Sequence, residues 1–196
     1  MLILGLTGNI ATGKSTVSGF LRDWGAAVLD SDALVHEAYQ PGSTVPWQVA
    51  RAFGPHVMKA DGSVDRTALG NLVFASPDNM RKLEAIVWPA VAALRDAWLS
   101  EAAAEVVVID AVKLIESGFA GQCHSVWLVT ARPEVQRRRL IELRHLSPER
   151  ADQRLAAQAP VEPRRAVAQV VLENNSTVEE LRRQARSAWE RTVSAS

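Results

Sequence analysis

Eight residues near the start of the chain, Gly8-Asn9-Ile10-Ala11-Thr12-Gly13-Lys14-Ser15, restrict its fold more than any other stretch. They satisfy G-x-x-x-x-G-K-[ST], the pattern of a loop whose backbone N–H groups converge on phosphate oxygens. Their setting is the one such a loop requires. The strand-length apolar run Leu2–Leu6 comes directly before, and a helix is expected from about Ser15 to Trp24, stopped by Gly25. Gly8 and Gly13 let the backbone turn so that successive N–H groups face inward. Lys14 is then placed to reach β- and γ-phosphates and the Ser15 hydroxyl to ligate Mg²⁺, while the helix N-terminus adds its partial positive charge.

Four further apolar runs read as strands: Ala27–Leu29, Val106–Ile109, Val126–Val129 and Val167–Leu172. They are short and continuous, as expected when helices cover both faces of a parallel sheet. The fold class expected is therefore α/β, a parallel five-stranded sheet flanked by helices. Two regions break the alternation. Residues 41–100 hold no strand signal but carry the turn marks Pro41-Gly42, Phe53-Gly54-Pro55 and Asp61-Gly62, then a helix opened by Ser76-Pro77. Pro89 is expected to kink or break that helix near Val87–Trp88. From Glu134 to Gln158 the pattern is an arginine-rich helical hairpin whose second arm starts at Ser147-Pro148. A last helix is expected from Ser176, with Glu179 completing a capping box.

Composition narrows the function classes. Nearly half of the 196 residues (47%) are apolar and 22% are charged, ordinary values for a globular protein, and no apolar run approaches bilayer length. The formal net charge is zero, so the chain is no generic polyanion binder, and neither nucleic acid nor membrane is an expected partner. Basic charge is concentrated late: residues 131–196 hold 13 Lys+Arg against 9 Asp+Glu. The excess is arginine-rich, which suits forked contacts to phosphate. A single cysteine, Cys123, excludes an intrachain disulfide, and with no leader-like N-terminus the expected setting is cytoplasmic. The four histidines show no ligand-like spacing and Cys123 has no activating neighbourhood beyond His124, so structural roles are expected for them.

Three carboxylates stand at expected strand ends: Asp30 and Asp32 after the second strand, Asp110 after the third. Ligands of parallel α/β sheets bind beyond those ends, so all three could face phosphates held by the loop. A kinase needs one carboxylate to accept the proton of the attacking hydroxyl and another to position Mg²⁺, and Asp110 is the candidate for the metal with Ser15. Asp32 could equally cap a helix beginning near Ala33. Residues two apart in an extended segment share a side, so geometry does not separate Asp30 from Asp32. Arg137, Arg138, Arg139 and Arg144 lie on one expected helix, and one of them is expected to meet phosphate as that segment closes on ATP.

Taken in order, these marks resemble the dephospho-CoA kinase family from about Leu2 to Leu181. The likeness is carried by Gly5-Leu6-Thr7-Gly8-Asn9-Ile10 with Gly13-Lys14-Ser15-Thr16-Val17, by Val28-Leu29-Asp30-Ser31-Asp32, and by Val64-Asp65-Arg66 with Leu69. Val73-Phe74, Leu83-Glu84-Ala85-Ile86, Ala156-Ala157-Gln158 and Glu173-Asn174-Asn175 continue it. The resemblance implies a P-loop kinase fold in one domain, with a core of residues 1–40, 101–133 and 166–196. It makes residues 41–100 a helical insert for the CoA substrate and residues 134–165 a helical lid. It implies transfer of the ATP γ-phosphate to the ribose 3′-hydroxyl of dephospho-CoA, with Mg²⁺ as cofactor. Asp32 becomes the catalytic base beside Lys14. ATP is expected on Gly8, Asn9, Ile10, Ala11, Thr12, Gly13, Lys14, Ser15, Thr16, Arg139, Arg144 and Asn175. The chain departs from the family pattern at Trp88-Pro89, at Val112-Lys113-Leu114-Ile115-Glu116, at Leu143 where a second lid arginine is usual, and at Ala168-Gln169. The competing readings are another small-molecule P-loop kinase, of the shikimate, gluconate or nucleoside monophosphate type, and a nucleotide-binding switch. The switch reading lacks an Asn-Lys-x-Asp motif.

Overall fold

In the computed structural model, residues 1–194 are described. The chain forms two compact units, one made of Met1–Leu29 with the chain from Ala103 onward, the other of Asp30–Ala102.

The first unit is built on a parallel sheet. Its strands are β1 (Leu2–Gly8), β2 (Ala27–Asp30), β3 (Val106–Asp110), β4 (Ser125–Thr130) and β5 (Val170–Glu173), in spatial order β2-β3-β1-β4-β5. The order puts β1, and hence the loop that follows it, at the centre. Every residue of β3 and all but the last of β4 are buried, which explains their unbroken apolar runs. On one face Leu2, Leu4 and Leu6 pack with Val106, Val108, Trp127 and Val129 against Val17, Phe20 and Leu21 of α1 (Lys14–Asp23). Leu181, Ala185 and Ala188 of α9 (Val178–Ser194) close the same core. On the other face Gly5 has no side chain because Leu114 and Cys123 lie across it: a Cβ there would come within 2.6 Å of Leu114 Cδ2 and 2.9 Å of Cys123 Sγ. Cys123 thus packs over the strand, the structural role expected of it.

The second unit is helical: α2 (Ser31–Ala38), α3 (Val45–Phe53), α4 (Arg66–Phe74) and α5 (Pro77–Glu101). They close around Tyr39, Val45, Val49, Val57, Leu69, Val73, Leu83 and Val87. Ser76 caps α5 by accepting from the Asn79 N–H, with Pro77 at the first helical position. The expected break at Pro89 is absent. α5 runs through it for 25 residues, with Leu83 and Val87 before the proline and Ala90, Val91 and Leu94 after it in the same apolar cluster. Packing on both sides of the proline outweighs the one hydrogen bond its missing N–H forfeits.

Three further elements complete the first unit: α6 (Pro133–Glu142), α7 (Pro148–Ala156) and α8 (Glu162–Val167). The arginine-rich hairpin is α6 and α7, with Ser147 capping the second arm as expected. Two boundaries differ from the sequence reading. Val167 ends α8, and β5 begins only at Val170, because the intervening Gln169 ties the foot of β4: its N–H donates to Val126 O at 3.0 Å and its Oε1 accepts from Val126 N at 2.7 Å. The cap of α9 lies one residue later than expected, since Thr177 and not Ser176 receives the first-turn N–H, that of Glu180 at 3.2 Å, and the helix itself begins at Val178.

Candidate active site

The loop between β1 and α1 is shaped by two glycines for two different reasons. Gly13 is the N-cap of α1 at φ 97°, in the left-handed region that side chains resist. Gly8 has no positive φ; a Cβ there would lie 2.6 Å from the Val129 carbonyl oxygen, so its need is close approach to β4 and not freedom to turn. Between them Ala11 also takes a positive φ, 57°, a strained choice for a residue with a side chain. Strain of this kind persists only where surrounding contacts impose it. Thr12, buried, donates from Oγ1 to Asn9 O at 2.8 Å and closes the loop on itself.

Two sets of contacts hold the loop from outside. Arg139, on α6, donates from Nη1 to Ala11 O (3.2 Å) and Thr12 O (3.5 Å) and from Nη2 to Asn174 O (3.1 Å) and Oδ1 (2.9 Å). The buried Asn174 side chain donates in turn to Thr12 O at 2.8 Å. Burial first, and then the neighbouring Arg138, pulls the Arg139 guanidinium below its ordinary pKa. On the other side Ile10 N–H donates to Gln158 Oε1 at 2.8 Å, and the Asn9 side chain meets Ala159 O and the guanidinium of Arg164.

Lys14 and Asp110 form an ion pair, with little of either side chain exposed. The other carboxylate oxygen accepts from Ser18 Oγ, which lies one helical turn beyond Lys14 and is itself buried. Ser15 is exposed at the helix start. A cavity of about 740 Å³ opens beside the loop, lined among others by Asn9, Thr12, Arg132, Gln136, Gln158 and Asn175.

The structure therefore gathers Gly8 to Thr16, Asp110, Arg139 and Asn175 at the carboxyl end of the sheet. Arg139 meets the loop through its carbonyl oxygens. Arg144 is exposed just past α6, and Leu143 beside it is also exposed. Asp30 and Asp32 belong to the helical unit. Asp30 is the cap of α2, accepting from Asp32 N at 2.9 Å, and the helix starts at Ser31; the capping role considered for Asp32 thus falls to its neighbour. Asp32 is exposed in the first turn. Sequence reasoning missed Ser18 and Arg164 as site residues, and had Asn174 only as part of the Glu173-Asn174-Asn175 stretch of the family likeness, where it named Asn175. Of the two missed, only Ser18 left a signal, its spacing of four from Lys14 on an expected helix.

A lysine-bearing phosphate loop at the centre of a 2-3-1-4-5 parallel sheet, with an arginine-rich helical hairpin beside it, defines a P-loop kinase. Within that class the chain belongs to the dephospho-CoA kinase family, whose model matches residues 2–180. It is 45% identical to the dephospho-CoA kinase of Symbiobacterium thermophilum, over 96% of this chain and 80% of that protein. A crystal structure from Thermus thermophilus superposes with a TM-score of 0.83 at 38% identity, covering 97% of each chain. A shikimate kinase from Acinetobacter baumannii shares the fold alone, with a TM-score of 0.55 at 20% identity over 100% of this chain and 94% of that one. The family match does not favour the rival small-molecule kinases, and membership makes the chain an ATP-dependent kinase. Among the described residues no helix is long and apolar enough to cross a membrane.

Proposed function

We propose that this chain transfers the γ-phosphoryl group of ATP to the ribose 3′-hydroxyl of dephospho-CoA, giving coenzyme A and ADP. The observation that carries the reading is the Gly8–Ser15 loop with Lys14 on Asp110, in a chain matched to the family over residues 2–180. The N–H groups of the loop and Lys14 bind the β- and γ-phosphates and offset the charge that spreads over the moving group. Lys14 would exchange its carboxylate partner for phosphate on binding. Arg139 supports the loop through its carbonyls, the exposed Arg144 is the lid arginine left to meet phosphate on closure, and Asn175 lines the cavity suited to the rest of the nucleotide.

Asp32 is the general base: its carboxylate accepts the proton of the 3′-hydroxyl as that oxygen attacks phosphorus and the bond to the β-phosphate oxygen breaks. Residues 134–165 act as lid and residues 41–100 as the acceptor-binding insert. The exposed Ser15 hydroxyl and the Asp110 carboxylate are the oxygen donors Mg²⁺ prefers, an ion that takes one or two protein ligands and completes its shell with water and phosphate. Bound there, it would supply charge neutralisation on the phosphates. Lone Cys123 suits a reducing compartment, consistent with a cytoplasmic enzyme.

A coupled ADP-release assay with ATP and Mg²⁺, run against dephospho-CoA, shikimate, gluconate and nucleoside monophosphates, tests the reading. Turnover is expected with dephospho-CoA alone; preferential turnover of another acceptor would refute it.

A further inference from the structure

Arg164, on α8, is only 5% exposed. A guanidinium keeps its charge at any working pH, so burying it is costly unless each nitrogen finds an acceptor. All three do. Nε and Nη2 donate to Glu116 Oε1 at 3.1 and 2.6 Å, and Nη1 donates to Asn9 Oδ1. The Asn9 amide is gripped at its other end as well, Nδ2 donating to Ala159 O at 3.3 Å. The next N–H along the loop, that of Ile10, donates to Gln158 Oε1. Residues 158–164 thus hold both residues with which the loop leaves β1, while Arg139 and Asn174 hold Ala11 and Thr12. For stability alone a buried ion pair is a poor device, since an apolar pair of the same volume is often as good. The third nitrogen of Arg164 reaches instead into the phosphate loop itself.

We propose that Arg164 is a positioning residue for phosphoryl transfer: through Asn9 it fixes the first half of the phosphate loop and ties it to the segment that follows the α6–α7 hairpin. The proposal rests on Gly8–Ser15 being the phosphate cradle. Rates are sensitive to such placement, a shift of about 1 Å costing on the order of 10²-fold.

The test is steady-state kinetics on Arg164→Ala, Arg164→Lys, Asn9→Ala and the Arg164→Ala/Asn9→Ala double variant, with thermal melts and Lys14→Ala alongside. Arg164→Ala is expected to lower kcat/KM for ATP by roughly 10–10²-fold and to leave the KM for dephospho-CoA unchanged. Arg164→Lys, which keeps the charge but loses the fork, should recover part of the loss. The double variant should be no worse than the more damaged single one, because both remove the same contact. A lower melting temperature with kcat and KM unchanged for both substrates would make Arg164 merely structural and overturn the proposal. Should Arg164→Ala fail to fold, half-buried Asn9→Ala decides: a selective ATP defect supports the proposal, and normal ATP kinetics overturns it. If Lys14→Ala stays active, the cradle reading falls and this proposal with it; if Lys14→Ala is inactive while Arg164→Ala is normal, only the positioning role falls.

Discussion

Replacing Gly13 with alanine tests the phosphate loop where two constraints meet. At φ 97° an alanine pays the left-handed penalty, about 1–2 kcal/mol. Its new methyl group would also overlap the side-chain amide of Asn174, which must move. That amide is buried and donates to Thr12 O at 2.8 Å, so displacing it leaves a buried polar group unpaired at a further cost of about 1–3 kcal/mol. The sum, about 2–5 kcal/mol, corresponds to a fall in Tm of roughly 4–20 °C for a chain of this size. Gly19 supplies the internal control. It sits within α1 with nothing inside 4 Å of a built Cβ, so Gly19→Ala should stabilise by about 0.5–1 kcal/mol through helix propensity. Calorimetric melts of the two variants beside the parent give the comparison, and ATP titration shows whether the loop still binds. A Gly13→Ala protein that melts within a degree of the parent (about a quarter of the smallest expected shift) would refute the reasoning. So would equal behaviour of the two variants.

Lys14→Ala should fold and lose activity, with several kcal/mol of transition-state stabilisation removed, on the order of the loss of an oxyanion-type contact; near-normal turnover in a folded variant would exclude the lysine from the chemistry. Asp32→Asn should bind ATP and dephospho-CoA nearly normally in calorimetry while kcat drops on the order of 10²–10⁴-fold, whereas Asp30→Ala should keep most turnover and lose about 1 kcal/mol from the α2 cap. The reverse pattern would move the base to Asp30. Arg139→Ala strips charged donors from three carbonyl groups and a side-chain amide, so it should lower both Tm and kcat/KM for ATP; Arg150→Ala, at an exposed position on α7, should do neither. Equal effects from the two would reduce the arginine cluster to a solvated face.

The loop and the sheet were legible because their signals are local. A glycine and lysine pattern, and apolar runs that need no partner to be recognised, placed β1, β3 and β4 to within a residue or two. Where local rules met packing, packing decided. Pro89 lies inside α5 because Leu83, Val87, Val91 and Leu94 are all held in one cluster. The apolar letters from Val167 to Leu172 read as one strand, yet Gln169 interrupts them by pairing with Val126 across the sheet. Ser176 and Thr177 are equivalent caps on paper, and only the backbone path selects the second. Asn9 and Arg164 stand 155 positions apart, so their contact has no imprint in any window of sequence. Arg139 was expected to meet phosphate; that its guanidinium takes the loop's carbonyl oxygens depends on where α6 lies against Asn174, which no window of sequence shows. Gly8 was recognised for the wrong reason, since its lack of a side chain serves the approach of Val129 and not a turn.

Phosphorus NMR of the product formed from dephospho-CoA, ATP and Mg²⁺ bears most directly on the claim that this loop serves a ribose hydroxyl acceptor. The expected spectrum gains one phosphomonoester coupled to the ribose 3′ position, in equal amount to the ADP released and absent when Lys14→Ala replaces the parent. ADP release with no new monoester, or a monoester at any other hydroxyl of the acceptor, would contradict it.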